Sequence, residues 1–273
     1  MAEDDLAADY AVIGVGSIAE AIVTGLCEAP APPSVVLSPR NRTRTARLAS
    51  RYPTVRVAAD NQAAASAAGT VLLCLRPQDA GETLSSLRLA SEQRVISVMA
   101  SVSTAEVAEL VGPVAEISRA IPGIAVAARH GFTPVFPPAS AARRLFDDLG
   151  GSLVLESERL LDAVSVASAT VAAHLAYLQT ISSWLAGQGV ELEDAQRLIA
   201  SVFAGATAEF ATSTDFVALV RHHATPDGLN EHFERMLREA GGSRAVERAL
   251  GALLDSIPVT KGTVPGDQEN RPR

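Results

Sequence analysis

A short apolar run, Tyr10-Ala11-Val12-Ile13, breaks into Gly14-Val15-Gly16-Ser17-Ile18-Ala19, and no other feature restricts the fold of this chain as much. The run reads as a strand, the G-x-G-x-x-A as a tight turn, and Ile22, Val23 and Leu26 as the apolar stripe of a helix. Each position has a physical task in a dinucleotide-binding unit. Glycine at 14 permits the turn, glycine at 16 lets the backbone approach a pyrophosphate, and Ala19 lets the helix lie close to the strand. The helix N-terminus adds free N–H groups and the positive end of the helix dipole. Glycine turns also occur as plain connections between strand and helix, so the motif gains weight only from its surroundings.

Those surroundings extend the pattern. Ser34-Val35-Val36-Leu37 reads as a second strand, at whose end an NAD-specific fold carries Asp or Glu for the ribose 2′-hydroxyl. Here the segment is Ser38-Pro39-Arg40-Asn41-Arg42, with no carboxylate and two guanidinium groups. Ser38 and Arg40 therefore favour a 2′-phosphate, and NADPH (NADP+) over NADH; the competing reading is a solvated basic loop. Strand-like runs recur at 70–75, 94–99, 114–117, 131–135 and 153–155, mostly separated by helical patterns. This alternation predicts an α/β fold: a doubly wound, mostly parallel Rossmann-type sheet covered on both faces.

At 273 residues the chain has room for two domains. A net charge of −8 argues against nucleic-acid and anionic-membrane partners, and aromatics at 4% leave little for a base-stacking surface. Cys27 and Cys74 have no spacing motif and read as reduced core thiols, which points to the cytoplasm. The acidic N-terminus, Met1-Ala2-Glu3-Asp4-Asp5, lacks the pattern of a signal peptide, and no apolar stretch reads as a membrane span. Near Gly150-Gly151 the texture changes and the chain becomes almost wholly helical. Residues 161–186 are apolar on nearly every side, and a helix of that kind must be buried, here at the centre of an all-helical dimerisation domain. Gly187 and Gly189 stop it, and further helices are expected at 193–212, 215–222, 229–239 and 243–256. The expected organisation is 1–157 as an NADP-binding domain, 158–258 as a helical substrate and dimerisation domain, and 259–273 as a disordered tail rich in Gly, Pro and polar residues.

Together these segments resemble the pyrroline-5-carboxylate reductase family over about residues 8–257. Gly14 to Ile22 looks like its G-x-G-x-M-A-E-A-I, Leu75-Arg76-Pro77-Gln78 stands where the family has V-K-P-Q, and Val95 to Ser103 is similar to V-I-S-I-A-A-G-I-S. Asn61 matches an Asn placed beside the cofactor, and Asp162-Ala163-Val164 fits the D-A-V that introduces the central helix. Substrate-side segments depart further. S-G-S-G-P-A-Y becomes Ser168-Ala169-Thr170-Val171-Ala172-Ala173-His174, R-x-M-P-N-T-P becomes Arg119-Ala120-Ile121-Pro122-Gly123-Ile124-Ala125, and T-S-P-G-G-T-T becomes Ala224-Thr225-Pro226-Asp227-Gly228-Leu229-Asn230.

The resemblance implies an NADPH-dependent reductase that transfers hydride to the carbon of a cyclic imine, pyrroline-5-carboxylate being the family substrate and proline its product. Alternatives are another cyclic imino acid or secondary-metabolite imine, or a non-catalytic NADP-binding regulator. It implies a cofactor site formed by Gly14, Val15, Gly16, Ser17, Ile18, Ser38, Arg40, Asn61, Leu75, Arg76, Pro77, Met99 and Ala100, and a homodimer or a higher oligomer built from it. On the substrate side it points to Thr225 and Asn230, although 225–228 also reads as a structural turn and Asn230 as a helix-capping residue. His174 replaces the family's Tyr and is either a proton donor or carboxylate ligand, or a satisfied core histidine. Tyr177 reads as packing, and His222-His223 as a solvent-facing loop pair, although His222 matches a family position that reaches the cofactor across a dimer. No metal is expected, because the chain has no H-x-x-x-H and no C-x-x-C.

Overall fold

The structure is a computed structural model and describes residues 8–257; the tail expected from 259 onward and the acidic first residues lie outside them. Residues up to Ser165, with Ile257, form one compact unit, and Val166–Ser256 form a second.

The first unit alternates strand and helix: β1 (Ala8–Ile13), α1 (Ser17–Cys27), β2 (Val35–Leu37), α2 (Arg42–Arg51), β3 (Val55–Val57), α3 (Asn61–Ser66), β4 (Ala68–Leu73), α4 (Pro77–Ser85), β5 (Arg94–Ser97), α5 (Thr104–Val111) and β6 (Glu116–Ala120). Then come β7 (Thr133–Phe136), α6 (Ala141–Asp148), β8 (Ser152–Val154) and α7 (Glu158–Ser168). The sheet order is β3-β2-β1-β4-β5-β6-β7-β8. All neighbours run parallel except β6 and β7, so the last two strands run against the rest.

Period-two alternation explains why helices must cover both faces. Val12, Leu37, Leu72 and Ile96 point to one side, where Ile22 and Leu26 of α1, Leu48 of α2 and Leu145 and Phe146 of α6 meet them. Their neighbours Ala11, Ile13, Val36, Val71, Leu73 and Val95 point to the other, against Ala64 of α3, Leu84 of α4 and Val107 of α5. A strand with both faces buried reads as a continuous apolar run, as β1 and β4 do. Capping residues fix several helix starts: Asn41 accepts from Arg44 N–H, Asp60 from Ala63 N–H, and Ser103 forms a capping box with Glu106.

The second unit is helical: α8 (Val171–Gly187), α9 (Leu192–Ala208), α10 (Phe216–His223), α11 (Leu229–Glu239) and α12 (Gly242–Ser256). The helix expected over 161–186 is two helices. The N–H groups of Ala169 and Thr170 bond to the carbonyls three residues back, and Thr170 Oγ1 donates to Ala167 O at 2.8 Å, which tightens and ends α7. Taken as one stretch, Glu158–Gly187 is long and apolar enough to cross a membrane by length and composition, contrary to the expectation that no segment would be. Asp162 on its first half is nevertheless paired with buried Arg119 of β6. His222 and His223 lie in the last turn of α10 rather than in a loop, where a cation would complement the helix dipole. Within this unit few side chains are buried, Ser182 and Ala195 among them, while Trp184 (65%), Phe216 (62%) and Met236 (67%) stand exposed.

Candidate dinucleotide cleft

At the carboxyl ends of β1, β2 and β4 the chain leaves two cavities, about 610 and 380 Å³, that share Gly16, Asn41, Cys74, Leu75 and Arg76 and so form one cleft. Its floor is the glycine turn. Gly14 has φ +89°, and a Cβ there would meet Cys74 O at 2.7 Å and Leu75 Cδ2 at 2.8 Å, so only glycine fits. A Cβ on Gly16 would have nothing within 4 Å, and that residue faces the open cleft. Gly16 is also the N-cap of α1, with no side chain capping it. Among the described residues the first N–H groups of α1 have no protein partner, and Gly16, Ser17, Ile18 and Ala19 line the cleft, so they are the donor set a pyrophosphate takes.

The loop between β2 and α2 is held by its own hydrogen bonds. Ser38 is buried, and its Oγ accepts from Gly14 N–H at 2.9 Å. Asn41 Nδ2 donates to Val15 O at 3.1 Å and ties the loop to the glycine turn. Sequence reasoning passed over Asn41, whose only signal was its place one residue before a helix. Arg44 and Arg47 both pair with Glu20 of α1. Arg40 and Arg42 line the larger cavity, and Arg40 meets Asp79 of α4 at 3.6 Å.

The cleft thus gathers Gly14, Val15, Gly16, Ser17, Ile18, Arg40, Leu75 and Arg76. Ser38 lies behind its wall. Pro77 is the exposed first residue of α4, and Asn61 the half-buried first residue of α3, next to the cap Asp60; neither is among the lining residues. Met99 is buried in the core and Ala100 exposed, while Val98 lines the smaller cavity. Ser101 adopts φ +59° where the family motif has glycine, a conformation that costs a non-glycine residue on the order of 1 kcal/mol. Cys74, also missed, lines both cavities and is partly exposed, yet burial pushes its thiol up to about 12. It is neutral at physiological pH and does not act as a thiolate nucleophile. Cys27 is likewise a free thiol raised by burial.

The substrate-side candidates all lie in the helical unit. Thr225 opens a turn closed by Gly228 N–H to Thr225 O at 2.9 Å, with Asp227 left-handed at φ +60°. Asn230 does not cap α11, whose N-cap is Gly228; its Nδ2 donates to His223 O at 3.1 Å. His174 is exposed on α8 rather than a core histidine, its ring 6.2 Å from Phe203, against which Tyr177 also packs at 6.0 Å. Among the described residues no hydrogen bond joins His174 to the 225–230 turn. Asp227, Glu231 and His232 bring their ligand atoms within 4.8 Å of one another on an exposed surface, where acidic groups commonly gather without an ion.

Comparison with known proteins places this geometry. The family described as NADP oxidoreductase, coenzyme F420-dependent, matches residues 9–101, the stretch holding the cleft. Pyrroline-5-carboxylate reductase 2 of Bacillus subtilis is 28% identical over 246 residues, covering 86% of this chain and 88% of that protein. The structure of 1-pyrroline-5-carboxylate reductase from Streptococcus pyogenes superposes with a TM-score of 0.76 at 21% identity, covering 93% of this chain and 99% of that one. The Plasmodium falciparum pyrroline carboxylate reductase with NADP bound gives a TM-score of 0.73 at 15% identity, covering 91% and 96%. With its motifs, their order and nearly its full length matched, the chain is similar to pyrroline-5-carboxylate reductases at 28–29% identity and shares the fold of their solved structures.

Proposed function

We propose that this chain is an NADPH-dependent reductase of a cyclic imine, pyrroline-5-carboxylate to proline being the first substrate to test. The observation that carries the reading is the cleft itself. Uncapped α1, an open Gly16 and the guanidinium groups of Arg40, Arg42 and Arg76 suit a dinucleotide with an added phosphate. NADPH, when bound, supplies the hydride. The chain's own part is to hold and orient. In this reading the backbone of residues 14–18 binds the pyrophosphate, and Arg40 and Arg42 bind the 2′-phosphate. Thr225 and Asn230 bind the polar groups of the imine, and His174 holds a proton if the imine enters unprotonated.

The experiment is NADPH oxidation measured against a panel of cyclic imines. Turnover with at least one imine is expected, with NADPH bound about 10- to 100-fold more tightly than NADH, the worth of a charge-assisted contact. NADPH binding with no turnover on any imine would overturn the enzymatic reading in favour of a regulatory one. Another imine than pyrroline-5-carboxylate is a specific second reading, because the segments at 119–125, 168–174 and 224–230 depart from the family pattern. Ala169 and Val171 stand where that pattern has its two glycines, and side chains there restrict how closely a ligand nears the backbone.

The same reading makes 158–258 the domain that completes the site and dimerises. Its support is the apolar surface that the helical unit leaves uncovered, including Trp184, Leu229 and Met236. Sedimentation at micromolar concentration should find a homodimer, one that buries more than roughly 2,000 Å². A stable folded monomer would sink it. A cytoplasmic enzyme acting on a small molecule, without nucleic acid or membrane, is the corresponding place in the cell.

A further inference from the structure

Arg40 and Asp79 reach the cleft from different elements. Arg40 lies on the loop after β2 and Asp79 in the first turn of α4, after β4; in the sheet these strands flank β1 on opposite sides. Their side chains meet, Arg40 Nη1 to Asp79 Oδ2, at 3.6 Å. Among the described residues Asp79 is the one carboxylate lining either cavity, beside the guanidinium groups of Arg40, Arg42, Arg76 and Arg44. A carboxylate there is unfavourable for any anionic ligand, and it sits on a guanidinium that is two-thirds exposed. An ordinary placement of Asp79, at the positive end of α4, explains its position in sequence but not its partner.

We propose that Asp79 is an internal competitor for Arg40, occupying its guanidinium until the 2′-phosphate of NADP(H) displaces it. The inference rests on the cofactor reading above. A 2′-phosphate must break the pair to take Arg40, whereas the neutral 2′-hydroxyl of NAD(H) leaves it in place. Asp79 therefore weakens NADP(H) selectively, narrows the preference between the two cofactors and speeds the release of NADP+. The pair is exposed, so the effect is modest, about three- to fivefold for an ion pair of this kind.

The test is a double-mutant cycle on the full-length protein, with dissociation constants for NADPH and NADH from cofactor fluorescence. Asp79→Asn should tighten NADPH about three- to fivefold and NADH by less than about 1.5-fold, widening their ratio. In an Arg40→Gln background the same change should move the ratio by no more than about 1.5-fold, because the competition has lost its object. NADPH affinity unchanged or weakened in Asp79→Asn would overturn the proposal. So would an equal widening in the Arg40→Gln background, which would make Asp79 a through-space charge. Wild-type protein that binds neither dinucleotide would instead overturn the cofactor reading, and the exchange with it.

Discussion

Replacing Arg119 by methionine is expected to cost about 2–4 kcal/mol of stability, a fall in melting temperature of roughly 5–12 °C for a chain of this size. Arg119 sits in β6 with 1% of its surface exposed. Its Nη1 donates to Glu158 Oε1 at 2.9 Å and its Nη2 to Asp162 Oδ1 at 3.1 Å. Glu158 also accepts from Thr104 N–H at 2.9 Å and from Thr104 Oγ1 at 3.0 Å, so one carboxylate joins α5, β6 and α7. Removing the cation strands two carboxylates whose side chains are only 24% and 13% exposed. That remaining exposure is why the expectation stays below the full cost of an orphaned buried charge. The cluster is not expected to be a large net stabiliser, since among the described residues Arg119 Nε is itself buried without a partner. A triple variant, Arg119→Met with Glu158→Gln and Asp162→Asn, should therefore recover most of the loss. Denaturant unfolding of both variants is the measurement. A loss below about 1 kcal/mol in the single variant would mean that water reaches the carboxylates freely.

Asn230→Ala should lower kcat/KM for the imine that is turned over by about 10- to 200-fold, the loss of one directed hydrogen bond that bound substrate would cover. In the structure Asn230 is exposed and spends its Nδ2 on His223 O, and among the described residues its Oδ1 has no partner. Tying the turn to the end of α10 is a structural task, and on an exposed turn it contributes less than about 1 kcal/mol. The two roles separate by readout. A binding residue moves kcat/KM and leaves the melting temperature nearly alone. Unaltered kinetics with lowered stability would reduce Asn230 to a tether and move the site elsewhere.

The parts of the fold that announce themselves in the sequence are those where one periodicity decides the outcome. Tyr10 to Ile13 with its glycine turn, and the apolar runs of β4 and β5, leave no arrangement but buried parallel strands. β3 escaped notice because it is a three-residue edge strand in which only Val55 is buried, too short for any period to show. The reversal at β7 escaped because strand direction is set by how the chain crosses between strands, and a side-chain pattern is the same read from either end. The break at 169–170 arises from a competition between hydroxyl and backbone that a hydrophobic count does not weigh. In the cleft, the glycine turn was legible because its geometry is local. Asn41 to Val15, Arg40 to Asp79 and Cys74 beneath Gly14 join residues 24 or more positions apart through the sheet, and nothing in a linear pattern reports them. His174, exposed on α8, stands neither buried nor bonded to the candidate turn.

The bond from Gly14 N–H to the Ser38 hydroxyl limits how this protein could be re-engineered. The customary way to turn a Rossmann fold toward NADH is to install an acid at the end of the second strand, which here is position 38. That position is 1% exposed and already occupied in holding the turn on which the whole cleft rests. A larger, charged group there would be desolvated and would push on the glycine loop before it met any ribose. On the proposed cofactor reading, the choice of cofactor at Arg40 and the integrity of the cleft at Ser38 fall to residues two places apart, so position 40 can be retuned while position 38 is held by the hydrogen bond it accepts from Gly14.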